Sequence, residues 1–144
     1  MAITSAVCNS FKAEVLKAVH NFTASSGNTF NLALYTSSAS MGAGTTAYAT
    51  TNEVATAGGY SAKGKALTSV TPALDSSTAC CDFSDISWTS ASFTANGCLI
   101  FNDSATGDPG CCVIAFGGDK TVTSGTFTIE FPAATAGNAI IGIA

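Results

Sequence analysis
Residues 30–35 read Phe-Asn-Leu-Ala-Leu-Tyr. Phe30, Leu32 and Leu34 alternate with Asn31, Ala33 and Tyr35, the period of a β-strand with one buried face. The next stretch constrains the chain more. From Thr36 to about Thr50 the sequence is Ser, Thr, Ala and Gly with a single Tyr and a single Met, and it carries no charge. Long loops without structure of their own are uncommon in compact domains and are usually functional. The chain must therefore fold a strand beside a long neutral loop, with Thr51-Asn52-Glu53-Val54 and Gly58-Gly59-Tyr60 closing that stretch.

The remaining signals are mostly β. Thr78–Phe83 reads as a strand, and the apolar phase then shifts from Cys81 and Phe83 to Ile86 and Trp88, which predicts a bulge or bend at Ser84-Asp85. Ser61–Val70 reads as a strand ended by Thr71-Pro72. Ala91–Phe101 reads as a strand broken at Asn96-Gly97. Cys111–Phe116 is followed by an expected turn at Gly117-Gly118-Asp119-Lys120. Phe127, Ile129 and Phe131 alternate inward, and Ala139–Ile143 is a last apolar strand. The one helix is expected over about residues 7–21, with Phe11, Val15, Leu16 and Val19 on one face, Asn9 or Ser10 capping its start, and Glu14 paired with Lys17. About eight short strands with turn signals between them define a mainly β domain, a β-sandwich or jelly roll with one N-terminal helix. At 144 residues the whole chain, 1–144, is expected to be one domain, with the β body over about 28–144.

Charge narrows the possible functions. Charged residues make up 10% of the chain, against about 25% in typical domains. There is no Arg, and the net charge is −4. A nucleic-acid-binding face needs clustered cations, and only Lys63 and Lys65 lie close together, so no nucleic-acid partner is expected. So neutral a surface is poorly protected against association, which points to an oligomer or an assembly component. The N-terminus has no basic segment followed by an apolar run, and no run approaches the ~18 residues of a membrane span. Synthesis in the cytoplasm and no membrane partner are the expectations.

No active site is legible. The only His is His20, on the expected helix, and no Ser lies in a nucleophile-elbow motif. No cofactor is implied. Asn102, Asp103, Ser104 and Asp108 offer oxygens that could wrap Ca²⁺, but the spacing is not that of an EF-hand, and an ordinary polar turn is favoured. Trp88 and Tyr60 could stack on a sugar, although such aromatics are more often core or interface. The six cysteines are Cys8, Cys80, Cys81, Cys98, Cys111 and Cys112. Vicinal pairs suit zinc poorly, because neighbouring strand residues point to opposite faces. They are read as small buried hydrophobes. A disulfide formed late, outside the cell, would use Cys98 with Cys111 or Cys112, whose strands are expected to form a hairpin.

Phe11-Lys12-Ala13-Glu14, His20-Asn21-Phe22, the strand Thr29–Thr36, Thr45-Thr46-Ala47-Tyr48, Thr51-Asn52-Glu53-Val54 and Gly59-Tyr60 resemble a family of small virion structural proteins of tailed bacteriophages. Val70–Leu74, Phe83–Trp88, Ala91–Phe101, Phe116–Lys120 and Thr126–Pro132 extend the resemblance over nearly the whole chain. Its members look like capsid decoration (cement) proteins. The cysteine pairs are not part of that pattern. The resemblance implies no catalysis, a place on the capsid exterior of a virion, and the major capsid protein and further copies of the chain, as homodimer or homotrimer, as partners. Contacts with shell or neighbouring subunit are then expected from the helix and the Ser37–Thr50 loop, with Phe11, His20, Phe22, Tyr35, Met41, Tyr48 and Tyr60 as candidates. A neck, tail or fibre component and a secreted carbohydrate-binding β domain are the alternatives.

Overall fold
A computed structural model describes residues 2–144. In chain order the elements are β1 (Ala6–Val7), α1 (Asn9–Leu16), β2 (Phe30–Tyr35), β3 (Lys65–Ala66), β4 (Ser69–Asp75), β5 (Thr78–Phe83), β6 (Ile86–Asn102), β7 (Gly110–Ile129) and β8 (Ile141–Ile143). The eight strands form two sheets, a five-stranded one in the order β1-β7-β6-β2-β3 and a three-stranded one in the order β4-β5-β8. Every pairing is antiparallel. This is the mainly β, two-sheet body with one short N-terminal helix that the alternation implies. No helix among the described residues is long and apolar enough to cross a membrane.

The largest departure from the sequence reading is the hairpin of β6 and β7. The breaks expected at Asn96-Gly97 and Gly117-Gly118 do not end strands. Gly97 lies inside β6, between Tyr35 on β2 and Ala115 on β7. A Cβ there would sit 2.7 Å from the Ile114 carbonyl oxygen, so glycine lets three backbones approach. Gly117 and Gly118, both at positive φ, lie in a bulge: Ala95 faces Lys120 and Gly97 faces Ala115, so β7 carries the extra residues. Further register shifts at Trp88/Ala91 and Ala91/Phe93 bend the ribbon. The bend brings Phe116 and Phe127, eleven residues apart on β7, to 6.2 Å between ring centroids, and Phe93 to 5.1 Å from Phe127.

The expected bulge at Ser84-Asp85 is the link by which the chain leaves one sheet and enters the other, between β5 and β6. Pro72 does not end a strand. It lies within β4, at a register irregularity between Val70 and Ala73. β4 is the outer strand of its sheet, where a missing N–H removes no ladder bond. The strand expected over Ser61–Val70 is divided between β3 and the first two residues of β4.

The helix is half the expected length. Ala18 adopts φ +58°, and the Ala18 and Val19 N–H groups donate to the Val15 and Glu14 carbonyls at 3.1 and 3.0 Å. That pair of bonds is a Schellman stop. The N-cap is Cys8, whose side chain makes no capping bond, so neither Asn9 nor Ser10 serves. Phe11 faces the core, but Leu16, in the last turn, is 89% exposed. Glu14 reaches His20 rather than Lys17.

One apolar core contains all of β2 except Asn31. Phe22 stacks on Phe30 at 4.2 Å, and Phe83 of β5 stands 5.9 Å from Phe30, joining the two sheets. Ala33 and Tyr35, expected on a solvated face, are buried too, because the segment from 36 to 64 covers them.

All six cysteines are free and buried. Cys98 faces Ile114 and Cys112 faces Ile100, so the hairpin pairing expected of them sets Cys98 and Cys112 diagonally, at roughly 7–8 Å, beyond ordinary disulfide reach. Burial pushes the Cys8 thiol up to about 11 and those of Cys81 and Cys98 up to about 12, and raises Cys111 and Cys112 as well. The native protein should therefore react negligibly with an aromatic disulfide reagent at neutral pH, and the denatured chain should show six thiols. A count below six after denaturation without reductant would reveal a disulfide.

Candidate functional site
The segment from 36 to 64 is the longest stretch among the described residues that lies outside helix and strand. It closes the outer edge of β2 with irregular partners: Val54 N–H donates to Leu34 O (2.9 Å), Thr36 N–H donates to Asn52 O (3.0 Å), and Leu34 N–H donates to the Tyr60 hydroxyl (2.9 Å). Main-chain groups that a neighbouring strand would satisfy are thus satisfied by a loop.

A single carboxylate organises this covering. Glu53 accepts from the Tyr48 hydroxyl through Oε2 (2.6 Å), and from the Tyr60 hydroxyl (2.7 Å) and the Lys63 N–H (2.8 Å) through Oε1. Burial pushes the Tyr48 hydroxyl up to about 12, with the neighbouring carboxylate adding to it, and raises Tyr60 and Tyr35 further. Tyr48 stacks on Phe101 of β6 with centroids 4.8 Å apart. The Tyr35 hydroxyl donates to Ala49 O (2.7 Å).

Lys63, at φ +67°, carries the network to the β6–β7 turn. Its ammonium lies 2.8 Å from Asp103 Oδ1 and 2.8 Å from Asp108 Oδ2, and these two carboxylates hold its pKa above the usual lysine value. The acidic pair that the sequence offers to Ca²⁺ is thus engaged with an ammonium. Among the described residues no group of three His, Cys, Asp or Glu side chains is placed to hold a metal ion.

Above Tyr35 the loop leaves an open trough of about 860 Å³ between the N-terminal segment and residues 38–47, with Ala2, Thr4, Ser40, Met41 and Gly44 among its walls. No charged side chain lines it. Its walls are fixed by main-chain bonds: Thr4 N–H donates to Met41 O (2.9 Å), Met41 N–H to Ala2 O (3.0 Å), Asn9 N–H to Ala43 O (2.8 Å) and Gly110 N–H to Thr46 O (2.9 Å).

His20 lies elsewhere, with its side chain wholly buried. Its Nε2 is 2.9 Å from Glu14 Oε2, and its Nδ1 is 3.1 Å from Asn102 Nδ2 and 3.9 Å from Cys111 Sγ. A Cys-His-Glu row resembles a nucleophilic relay, but burial raises the Cys111 thiol rather than activating it, and neither ring nor thiol lines the trough. The arrangement fastens the end of the helical segment to the hairpin.

The candidate contact residues therefore divide. Phe11, His20, Tyr35 and Tyr60 are buried within the chain's own core, and of these only Tyr35 lines the trough. Phe22, Met41 and Tyr48 are half-buried, and of these only Met41 lines the trough. Trp88 and Tyr60 are 4% and 2% exposed, which withdraws them as a sugar platform. Sequence reasoning did not single out Glu53 or Lys63, and it offered Asn102 to Ca²⁺, whereas its amide is engaged with Val19 O, His20 and Asn28. One signal marked Glu53: it is the only carboxylate between Glu14 and Asp75.

Fold and trough together define a mainly β two-sheet protein with a loop-built neutral recess. No family model, no curated protein and no solved structure matches the chain.

Replacing Glu53 by Ala strands two hydroxyls and one N–H, and should lower stability by about 2–4 kcal/mol in denaturant unfolding. The tyrosines add an alkaline limit. A free tyrosine ionises near 10, whereas Tyr48 keeps its proton to about 12 and Tyr60 beyond. Their contribution is complete below pH 10 and declines above it, that of Tyr48 being lost as pH rises through 12 and that of Tyr60 at higher pH. The unfolding midpoint should fall steeply across that interval, and less steeply in Tyr60→Phe.

Proposed function
We propose that the protein is a decoration, or cement, protein of a bacteriophage capsid. It binds the outer surface of the major capsid protein shell as a dimer or trimer and stabilises it. One observation carries the reading. Charged residues make up only 10% of the chain, and the surface leaves Leu16, Leu74, Ile143 and Val70 exposed at 89%, 72%, 56% and 42%, so it is suited to being covered in part rather than wholly solvated. The resemblance of residues 11–132 to phage virion proteins agrees with this reading. A β body whose irregular segment is pinned by Glu53 and Lys63 is a rigid part, as a cement protein needs. Several modest contacts made by one symmetric oligomer add by avidity. A neck or tail position is the second reading, and copy number separates the two.

Purified protein mixed with shells that lack it should cosediment saturably at hundreds of copies per shell. A dozen or fewer would move the protein to the neck or tail. No binding to a correctly expanded shell would remove the reading.

A further inference from the structure
The face of the three-stranded sheet that covers the core runs on past it. Phe83 and Cys81 on β5 and Ile141 on β8 belong to the core, and Cys81 pairs with Ile141. Two residues along β5, Ala79 pairs with Leu74 on one side and with Ile143 on the other, so these three share that face. Here the face is open, with Leu74 72% and Ile143 56% exposed. The two edges of this sheet differ. β4 is blunted, as edge strands commonly are, by Pro72, by the irregular register between Val70 and Ala73, and by Asp75. β8 has none of these devices. No strand among the described residues pairs with its outer side, its register is regular, and no charged residue occurs from Phe131 to Ala144. Beside it, Ile140 lines an apolar recess of about 360 Å³ with Ala6, Val7, Val113 and Ile114 at the edge of the larger sheet. The strand itself points to its partner. Ile141-Gly142-Ile143 reads the same in both directions, and a two-fold contact requires a surface that matches itself. With the axis at Gly142, antiparallel pairing sets Ile143 of one copy opposite Ile141 of the other, on the same face, at ~5 Å between Cβ atoms. A two-fold contact also brings like against like, and on β8 no charge meets its own sign.

We infer that β8 is the edge at which two copies of the chain join, antiparallel about a two-fold axis at Gly142, so that two three-stranded sheets become one of six strands. The open row of Leu74, Ala79 and Ile143 is then continued by Ile141 of the second copy, and the outer main-chain groups of β8 gain partners. Three paired residues are too few to hold a dimer by hydrogen bonds alone, and the apolar row and the recess beside Ile140 supply further contact. The inference rests on the capsid reading only for the purpose of the oligomer, and selects the dimer over the trimer.

Sedimentation equilibrium of the protein alone, at ~100 μM chain, tests this. The parent should run at twice the chain mass of 14.3 kDa. Ile143→Glu alters an exposed side chain, so its circular dichroism should match the parent's. It sets a carboxylate against Ile141 of the other copy, and should weaken dimerisation about tenfold or more. Leu16→Glu, which removes a still more exposed leucine on α1, should remain dimeric. A second variant reads the axis directly. In Gly142→Cys the two new thiols face each other within the ~4.4–6.8 Å Cα span of a disulfide, so oxidised glutathione should yield a covalent dimer. Gly44→Cys, on the exposed loop, should yield none. A monomeric or trimeric parent, an Ile143→Glu protein that dimerises as the parent does, an equal loss in Leu16→Glu, or equal crosslinking of Gly44→Cys would overturn the inference. Cosedimentation with shells judges the capsid reading separately. A dimer that binds no shell removes that reading alone, and a monomer that saturates the shell removes this inference alone.

Discussion
The Glu53 carboxylate joins the irregular part of the chain to the regular part. A carboxylate withdrawn from water is costly unless its oxygens are met by donors, and two tyrosine hydroxyls and a main-chain N–H meet these. Each donor comes from a different stretch of the same long segment. Satisfying the acid therefore draws residues 48, 53, 60 and 63 together, and Tyr60 extends the bond to Leu34 on β2. Without that convergence, a segment made of Ser, Thr, Ala and Gly would have little apolar surface with which to offset the entropy of its own ordering. A few polar bonds do here what a hydrophobic stripe does for a helix.

The covering has a consequence for the sheet. β2 is buried on both faces and closed along its outer edge, although its neighbour there, β3, is only two residues long. The other side is held by β6, which pairs with β2 along its whole length. The hairpin is long enough for its two halves to do different work. One half lies in the sheet. The other bends so that Trp88, Phe93 and Phe127 meet Tyr60 and Phe116 in one aromatic group. Glycines and short polar residues at positive φ, among them Ser90, Gly117, Gly118 and Ser124, permit the bends.

The sequence made the strands plain where one face repeats, as at Phe30–Tyr35 and Thr78–Phe83, both of which match the observed bounds. It misled where glycine had two meanings. Asn96-Gly97 and Gly117-Gly118 have the composition of turns, and only the register with neighbouring strands shows that one permits close approach and the other a bulge. The expected helix is too long because apolar spacing continues past Leu16, while the stop depends on Ala18 taking a left-handed conformation that alanine seldom adopts. The neutral loop was legible as the unusual feature. Its contents were not, because the trough is formed by pieces distant in sequence, the segment at 2–4 and the loop at 38–52. Tyr35 and Tyr60 are contacts only as the resemblance implies them. Their hydroxyls instead find partners inside.

The N-terminal part of the chain depends on residues made much later. Ala6 and Val7 pair with Val113 and Cys112, Ser5 accepts from the Ala115 N–H, and His20 meets Asn102 and Cys111. A ribosome has synthesised most of the protein before any of these partners exists. The N-terminal strand and the helical segment must therefore wait for these partners until the hairpin closes. Pairings this distant along the chain make for slow folding. The β6–β7 hairpin is the longer of the two units whose paired strands lie close in sequence, β4 and β5 forming the other. It is the natural nucleus, onto which the ends of the chain are added last.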